Sequence, residues 1–189
     1  MSCARTTSLA GWVQALQEHS PVPGGGAAAA AAAGLGLAAA AMAARYTTGK
    51  RWADRSEEAA ALASTLERQA ERVLDLAEED QRAYEALQET WRSELPEDEV
   101  QRRQHAAQQV PATLLKICHA ALVDLHAFLP RCNPQIVSDV RVGIHLLAGA
   151  ARAAWQTLLV NDPDPDLRAE QATLLVEIAA WDRDAGATG

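Results

Sequence analysis

Residues 24 to 44 carry no charge, and nearly all of them are alanine or glycine. Alanine is the strongest helix former, so the stretch predicts a long, very slim helix ending near Tyr46, where Thr47, Thr48 and Gly49 break it. Small side chains around the whole circumference let neighbouring helices come close, which suits a central helix buried on most of its surface. The run is long enough to span a bilayer. Its alanines and glycines make insertion marginal compared with Leu, Ile, Val and Phe, so no membrane partner is expected. Just ahead lies Pro21-Val22-Pro23-Gly24-Gly25-Gly26. Prolines and glycines at that density predict a turn, with the helix opening behind the glycines. Two readings of the turn stay open. Unpaired N–H groups and the positive end of the helix dipole suit an anionic group on a ligand. Alternatively it is a plain helix start whose glycines permit close packing.

Composition points to helix packed on helix. One Phe and two Tyr among 189 residues leave little material for sheets. Hydrophobic residues make up 49% and charged residues 22%, a globular balance. That length predicts a single domain over residues 1–189, with its core at about 8–182. The net charge of -8 disfavours a nucleic-acid partner, which needs a basic face. Cys3, Cys118 and Cys132 form no CxxC pair, and an odd count predicts reduced thiols in a cytoplasmic protein.

Along the chain, Leu9, Trp12, Val13 and Leu16 predict a first helix over about Ser8 to Gln17. A basic patch of Arg45, Lys50 and Arg51 beside Trp52 follows the alanine helix. A long helix is expected from Asp54 or Ser56 to Trp91. Its apolar stripe is Leu62, Leu66, Val73, Leu76, Ala77, Ala83, Tyr84 and Leu87, and its other face is charged. Glu97, Asp98 and Glu99 open the next helix, which Pro111 kinks or restarts before it continues to Pro130. After an Arg131–Pro134 turn, a helix from Pro134 or Ser138 runs to Val160, and Asn161–Pro165 breaks it. A last helix is expected over Asp166–Trp181, followed by a disordered Ala/Gly tail. No strand pattern survives. The fold class expected is all-α, a multi-helical bundle of long and short antiparallel helices.

Several chemistries are struck out. His119 and His126, seven residues apart, share a helix face, but no third ligand accompanies them at metal spacing, so no metal site is expected. No phosphate-binding lysine follows the glycines, and no GxSxG turn or dinucleotide fingerprint occurs. Two carboxylates remain. Asp139, after Ser138, opens an apolar helix. It is either a first-turn charge favoured by the helix dipole, with Ser138 the N-cap, or a positioned general acid/base. Asp80 sits in Glu78-Glu79-Asp80-Gln81-Arg82-Ala83-Tyr84. It is either a surface charge among charges or a second acid/base candidate.

The order of motifs resembles the cyclodeaminase/methenyltetrahydrofolate cyclohydrolase family, the helical domain at the C-terminal end of formiminotransferase-cyclodeaminase. Pro21–Gly26 is similar to that family's P-x-PGGG, and Met42 through Thr47-Thr48-Gly49-Lys50 to its M-x-x-x-T-x-GK. Asp80, Ala83 and Tyr84 match D-x-x-AY, and Val110-Pro111 matches the kink before the next helix. Cys132-Asn133 with Ser138-Asp139 is similar to GN-x(4)-SD, and Asn161 to the second asparagine of N-V-x-I-N. The chain departs in having Ala27 where the family has Ser, Thr157 in place of an asparagine, and Cys132 in place of glycine.

The resemblance implies a homodimeric cytoplasmic enzyme of one-carbon metabolism, without a cofactor, acting on a tetrahydrofolate. Either it closes 5-formimino-tetrahydrofolate to the 5,10-methenyl form with loss of ammonia, or it interconverts methenyl and 10-formyl forms. It further implies Asp139 and then Asp80 as catalytic residues, with Gly24, Gly25, Gly26, Lys50, Asn133, Ser138 and Asn161 holding substrate. The alternative is a catalytically silent helical dimer that binds a folate-like ligand or a partner protein.

Overall fold

A computed structural model describes residues 6–187; Cys3 lies outside them. Six α-helices follow one another: α1 (Leu9–Leu16), α2 (Gly25–Arg45), α3 (Ser56–Thr90), α4 (Glu97–Phe128), α5 (Val137–Val160) and α6 (Pro165–Ala187). No strand occurs among the described residues. Short links make successive long helices antiparallel. Accordingly Arg45, at the end of α2, pairs with Glu67 early in α3, while the start of α2 meets Asp80 late in α3. The helices α2, α3, α4 and α5 close a ring, each packed on its two neighbours, and α6 lies across α4 and α5.

The alanine run explains the ring. Eleven of the 21 residues of α2 are buried, and they are Ala, Gly and Leu only. Gly36 and Gly143 mark where α2 and α5 cross. A Cβ on Gly143 would come within 2.9 Å of the Gly36 carbonyl oxygen, so nothing larger fits at this crossing. Leu37, Leu66, Leu76, Leu115, Leu122 and Leu147, all fully buried, fill the centre. Each contributes about 1.5–3 kcal/mol, against about 0–1 kcal/mol for an exposed ion pair such as Arg72–Glu79. Both α2 and the apolar part of α4 are long and apolar enough to cross a membrane. For α2, 61% of its most apolar stretch is buried inside the bundle, which accounts for its lack of charge.

Three elements differ from the sequence expectation. Gly25 and Gly26 belong to the first turn of α2 rather than to a preceding turn, and Gly24 has extended dihedrals any residue adopts. Of the two readings of Pro111, the restart falls, because α4 runs through it. Finally, α6 continues to Ala187 where a disordered tail is expected beyond Trp181. Asp182 accounts for this, since it accepts from His145 Nδ1 (2.6 Å) and from Arg152 (2.8 Å), both on α5. Burial of Ala185 then carries the helix onward.

Candidate functional site

At one end of the ring, a cavity of about 350 Å³ opens between the start of α2, the second half of α3 and the end of α5. Its lining includes Gly24, Gly25, Gly26, Asp80, Tyr84 and Asn161. Asp80 is the carboxylate among its lining residues, and none of them is Lys, Arg or His. Gly24 leaves α2 without a side-chain cap. That role falls to Asp80, which reaches across from α3 and accepts the backbone N–H of Ala27. The anion at this positively polarised helix end is thus the protein's own carboxylate. Burial holds the Asp80 carboxyl above the usual aspartate range, while the Ala27 N–H pulls it back in part.

Close approach is what the third glycine supplies. A Cβ on Gly26 would lie 2.6 Å from Asp80 Cγ and 2.7 Å from Oδ2, and closer still to Oδ1. A Cβ on Gly25 would meet nothing within 4 Å. Only Gly26, then, is required to be glycine for Asp80 to sit where it does.

Asn161 is held by the proline that α4 runs through. Pro111 has no N–H, so the carbonyl of Ala107, four residues earlier, loses its helical partner. Asn161 Nδ2 donates to that carbonyl at 2.9 Å. In return Gln108 Nε2 donates to the Asn161 and Asp162 carbonyls, each at 3.0 Å. This brace fixes the end of α5 beside the cavity. Asn161→Ala leaves the Ala107 carbonyl unpaired and lowers stability by about 1–3 kcal/mol. Pro111→Ala, which restores the helical N–H, offsets that loss. A double-mutant cycle by denaturant unfolding checks the coupling.

The other expected site residues lie at the opposite end. Lys50 is in a short 3-10 turn after α2, and Asn133, Ser138 and Asp139 surround the start of α5. With 21 residues in α2, the two ends are about 30 Å apart in one chain. Asn133 is engaged as a brace: Nδ2 donates to the Tyr46 carbonyl (3.1 Å) and Oδ1 accepts from Gln135 N–H (3.0 Å). Its own N–H donates to the Thr47 hydroxyl (3.1 Å). Ser138 is not the helix N-cap, since α5 begins at Val137 after Ile136; its hydroxyl lies 3.3 Å from Asp139 Oδ2. One chain therefore does not bring Asp139 and Asp80 together.

The local pattern leaves Asp80 open between surface charge and acid/base, although the sequence carries a signal for its burial. Buried Val73, Leu76, Ala77 and Leu87 recur at helical spacing, and position 80 falls on the same stripe, where an apolar residue belongs. Elsewhere, His119 and His126 both lie against the Trp181 ring, and His119 Nε2 is 2.7 Å from Glu177 Oε2. Among the described residues no group of three or more His, Cys, Asp or Glu converges as metal ligands would. Cys118 is buried, its thiol pushed up to about 12 by burial.

A family model described as formiminotransferase-cyclodeaminase matches residues 8–177 of the chain. No curated protein matches it in sequence. Among solved structures, a formiminotetrahydrofolate cyclodeaminase from Thermotoga maritima is similar at 23% identity and a TM-score of 0.85. The likeness covers 96% of this chain and 92% of that one. At that identity it shows a shared fold.

Proposed function

The chain belongs to the formiminotransferase-cyclodeaminase family, and from that premise we propose that it closes 5-formimino-tetrahydrofolate to 5,10-methenyl-tetrahydrofolate with release of ammonia. The observation that carries this reading is a cavity whose lining holds a half-buried carboxylate and no cation. A cationic amidine favours that setting, because the neighbouring carboxylate is attracted to it more strongly than it would be in water.

The chemistry follows from proton transfer alone and draws on no cofactor. In the protonated formimino group, a carbon carries N5 on one side and NH2 on the other. N10 attacks this carbon, forming the N10–C bond, and the N10 proton passes to the Asp80 carboxylate. Asp80 returns the proton to the NH2 group. The C–N bond to that group breaks, ammonia leaves, and the positive charge stays on the methenyl bridge. An acid held above the ordinary aspartate range gives its proton to a leaving amine in balance with taking it from N10. Hydration of the methenyl bridge, the cyclohydrolase reaction, uses the same proton shuttle in a related direction. A spectrophotometric assay tests the reading. Methenyl absorbance should appear from 5-formimino-tetrahydrofolate with ammonia released. Decay of added methenyl-tetrahydrofolate above the uncatalysed rate makes the enzyme a cyclohydrolase instead, and no change with either substrate defeats both.

The residues at the far end find a place in a homodimer. Leu35 and Met42 are exposed on α2, on an uncharged stripe that also carries Ala38, and Val142 is exposed on α5. A two-fold axis across the middle of α2 lays the Asp139 end of one chain on the Asp80 end of its partner. In this arrangement Asp139 and Ser138 act at the partner's cavity. Asp80→Asn and Asp139→Asn each remove most turnover alone. Unfolded together and refolded, the two variants regain about one quarter of wild-type activity, since half the dimers carry one intact site. A mixture as inactive as its parts excludes the shared site.

A further inference from the structure

The folate substrate proposed above carries two carboxylates on its glutamate tail, yet no lysine, arginine or histidine lines the Asp80 cavity. Lys50, the cation expected from the sequence to meet them, is about 30 Å away in the same chain. A second hollow of about 480 Å³ lies beside the first, between α3 and α4. The two share Ala83, and consecutive residues of α4 line them, Ala106 the second hollow and Ala107 the first. Ala83, Ala106 and Ala107 are thus the residues that lie between the hollows.

We propose that this second hollow is the subsite for the anionic tail of the substrate, with Arg82 its principal cation. Its charged lining is Arg72, Arg82 and Glu79, with Glu78 beside Arg82. Arg72 is committed to Glu79 through two bonds of 2.5 and 3.1 Å. Arg82 is held more loosely. Its Nε donates to the Glu78 carbonyl at 3.2 Å, and its terminal nitrogen is 3.6 Å from Glu78 Oε2, with 62% of the side chain exposed. The Nε bond anchors the stem and leaves the guanidinium fork for a carboxylate, the geometry for which arginine is suited. Gln109 and Thr113 on α4 supply further polar groups. A cation-free cavity for the reacting, positively charged end, next to a cation-bearing hollow for the negative end, also fixes which way round the substrate lies.

This inference rests on the folate reading, so the test separates the two. Calorimetric titration compares tetrahydrofolate with tetrahydropteroate, which lacks the glutamate, on the wild-type protein and on Arg82→Glu and Arg82→Gln. Wild type should bind the tailed ligand more tightly. Arg82→Glu should weaken tetrahydrofolate about tenfold or more and leave tetrahydropteroate unchanged, with Arg82→Gln in between. Added salt should reduce the tail's advantage. If both ligands bind wild type equally, or if the tail's advantage survives in Arg82→Glu, the subsite is wrong and the folate reading stands. Failure of both ligands to bind overturns the two together.

Discussion

Asp80→Asn lowers kcat by about 100- to 10,000-fold, the range spanned by a single positioned acid/base. The substitution keeps the size of the side chain and an oxygen to accept the Ala27 N–H. It removes only the ability to take and return a proton, so the helical circular dichroism is unchanged. Stability moves the other way. Burial raises the Asp80 pKa in the folded protein above its ordinary value of 3.8, so the folded state disfavours the ionised form. Stability from the neutral carboxyl is fully present below that ordinary value and is lost as pH rises through the folded pKa. At neutral pH the wild-type protein therefore carries a penalty that the neutral amide does not. Asp80→Asn should melt at a higher temperature at pH 7, and its advantage should vanish below about pH 3.8. In the wild type, the acid limb of the pH–rate profile should lie above that same value and disappear in the residual activity of the variant. Turnover within a few-fold of wild type removes Asp80 from the mechanism.

Opposed effects of that kind would mark a residue that breaks a local rule for a functional reason. On α3 the rule is helical periodicity, and it correctly placed the long helix and its core face. What obscures the burial of Asp80 is the company of Glu78 and Glu79, which makes the segment look like one solvated face. The bundle itself was legible because alanine content, breaker positions and apolar spacing are local properties. The Asn161–Ala107 bond was not, since it joins residues 54 positions apart. Pro111 showed only that a carbonyl would be freed, not what would meet it. The division of the expected site between two ends was latent in the sequence. Gly24–Gly26 and Lys50 flank one unbroken helix, and a helix of 21 residues cannot fold its ends together. A straight helix therefore forces either two separate roles or a second chain.

The glycines give the sharpest test of how the cavity is built, because three adjacent positions make different demands. Gly26→Ala should cost as much activity as Asp80→Asn. Its Cβ falls within the Asp80 carboxylate, and real Cβ atoms do not approach within 3.0 Å of such a group. Either Asp80 turns away and loses the Ala27 N–H, or α2 shifts off α3. Alanine is the better helix former, by up to about 1 kcal/mol in a helix interior, so a loss of activity here does not come from a weakened helix. Gly25→Ala is the control, one residue away with the same gain in propensity and open space around its Cβ. It should keep near-wild-type turnover and match or exceed wild-type stability. Gly24→Ala falls between, because its Cβ meets the Pro21 carbonyl oxygen at 3.1 Å and some shift of the turn is needed. If the glycines served mainly to expose backbone N–H groups to a substrate anion, Gly25 and Gly26 would respond alike, since both N–H groups survive in alanine. A large loss at 26 with none at 25 ties the motif to the seating of one carboxylate. Equal tolerance at both positions would instead show that Asp80 has room to move, and that the cavity's chemistry does not depend on where it is held.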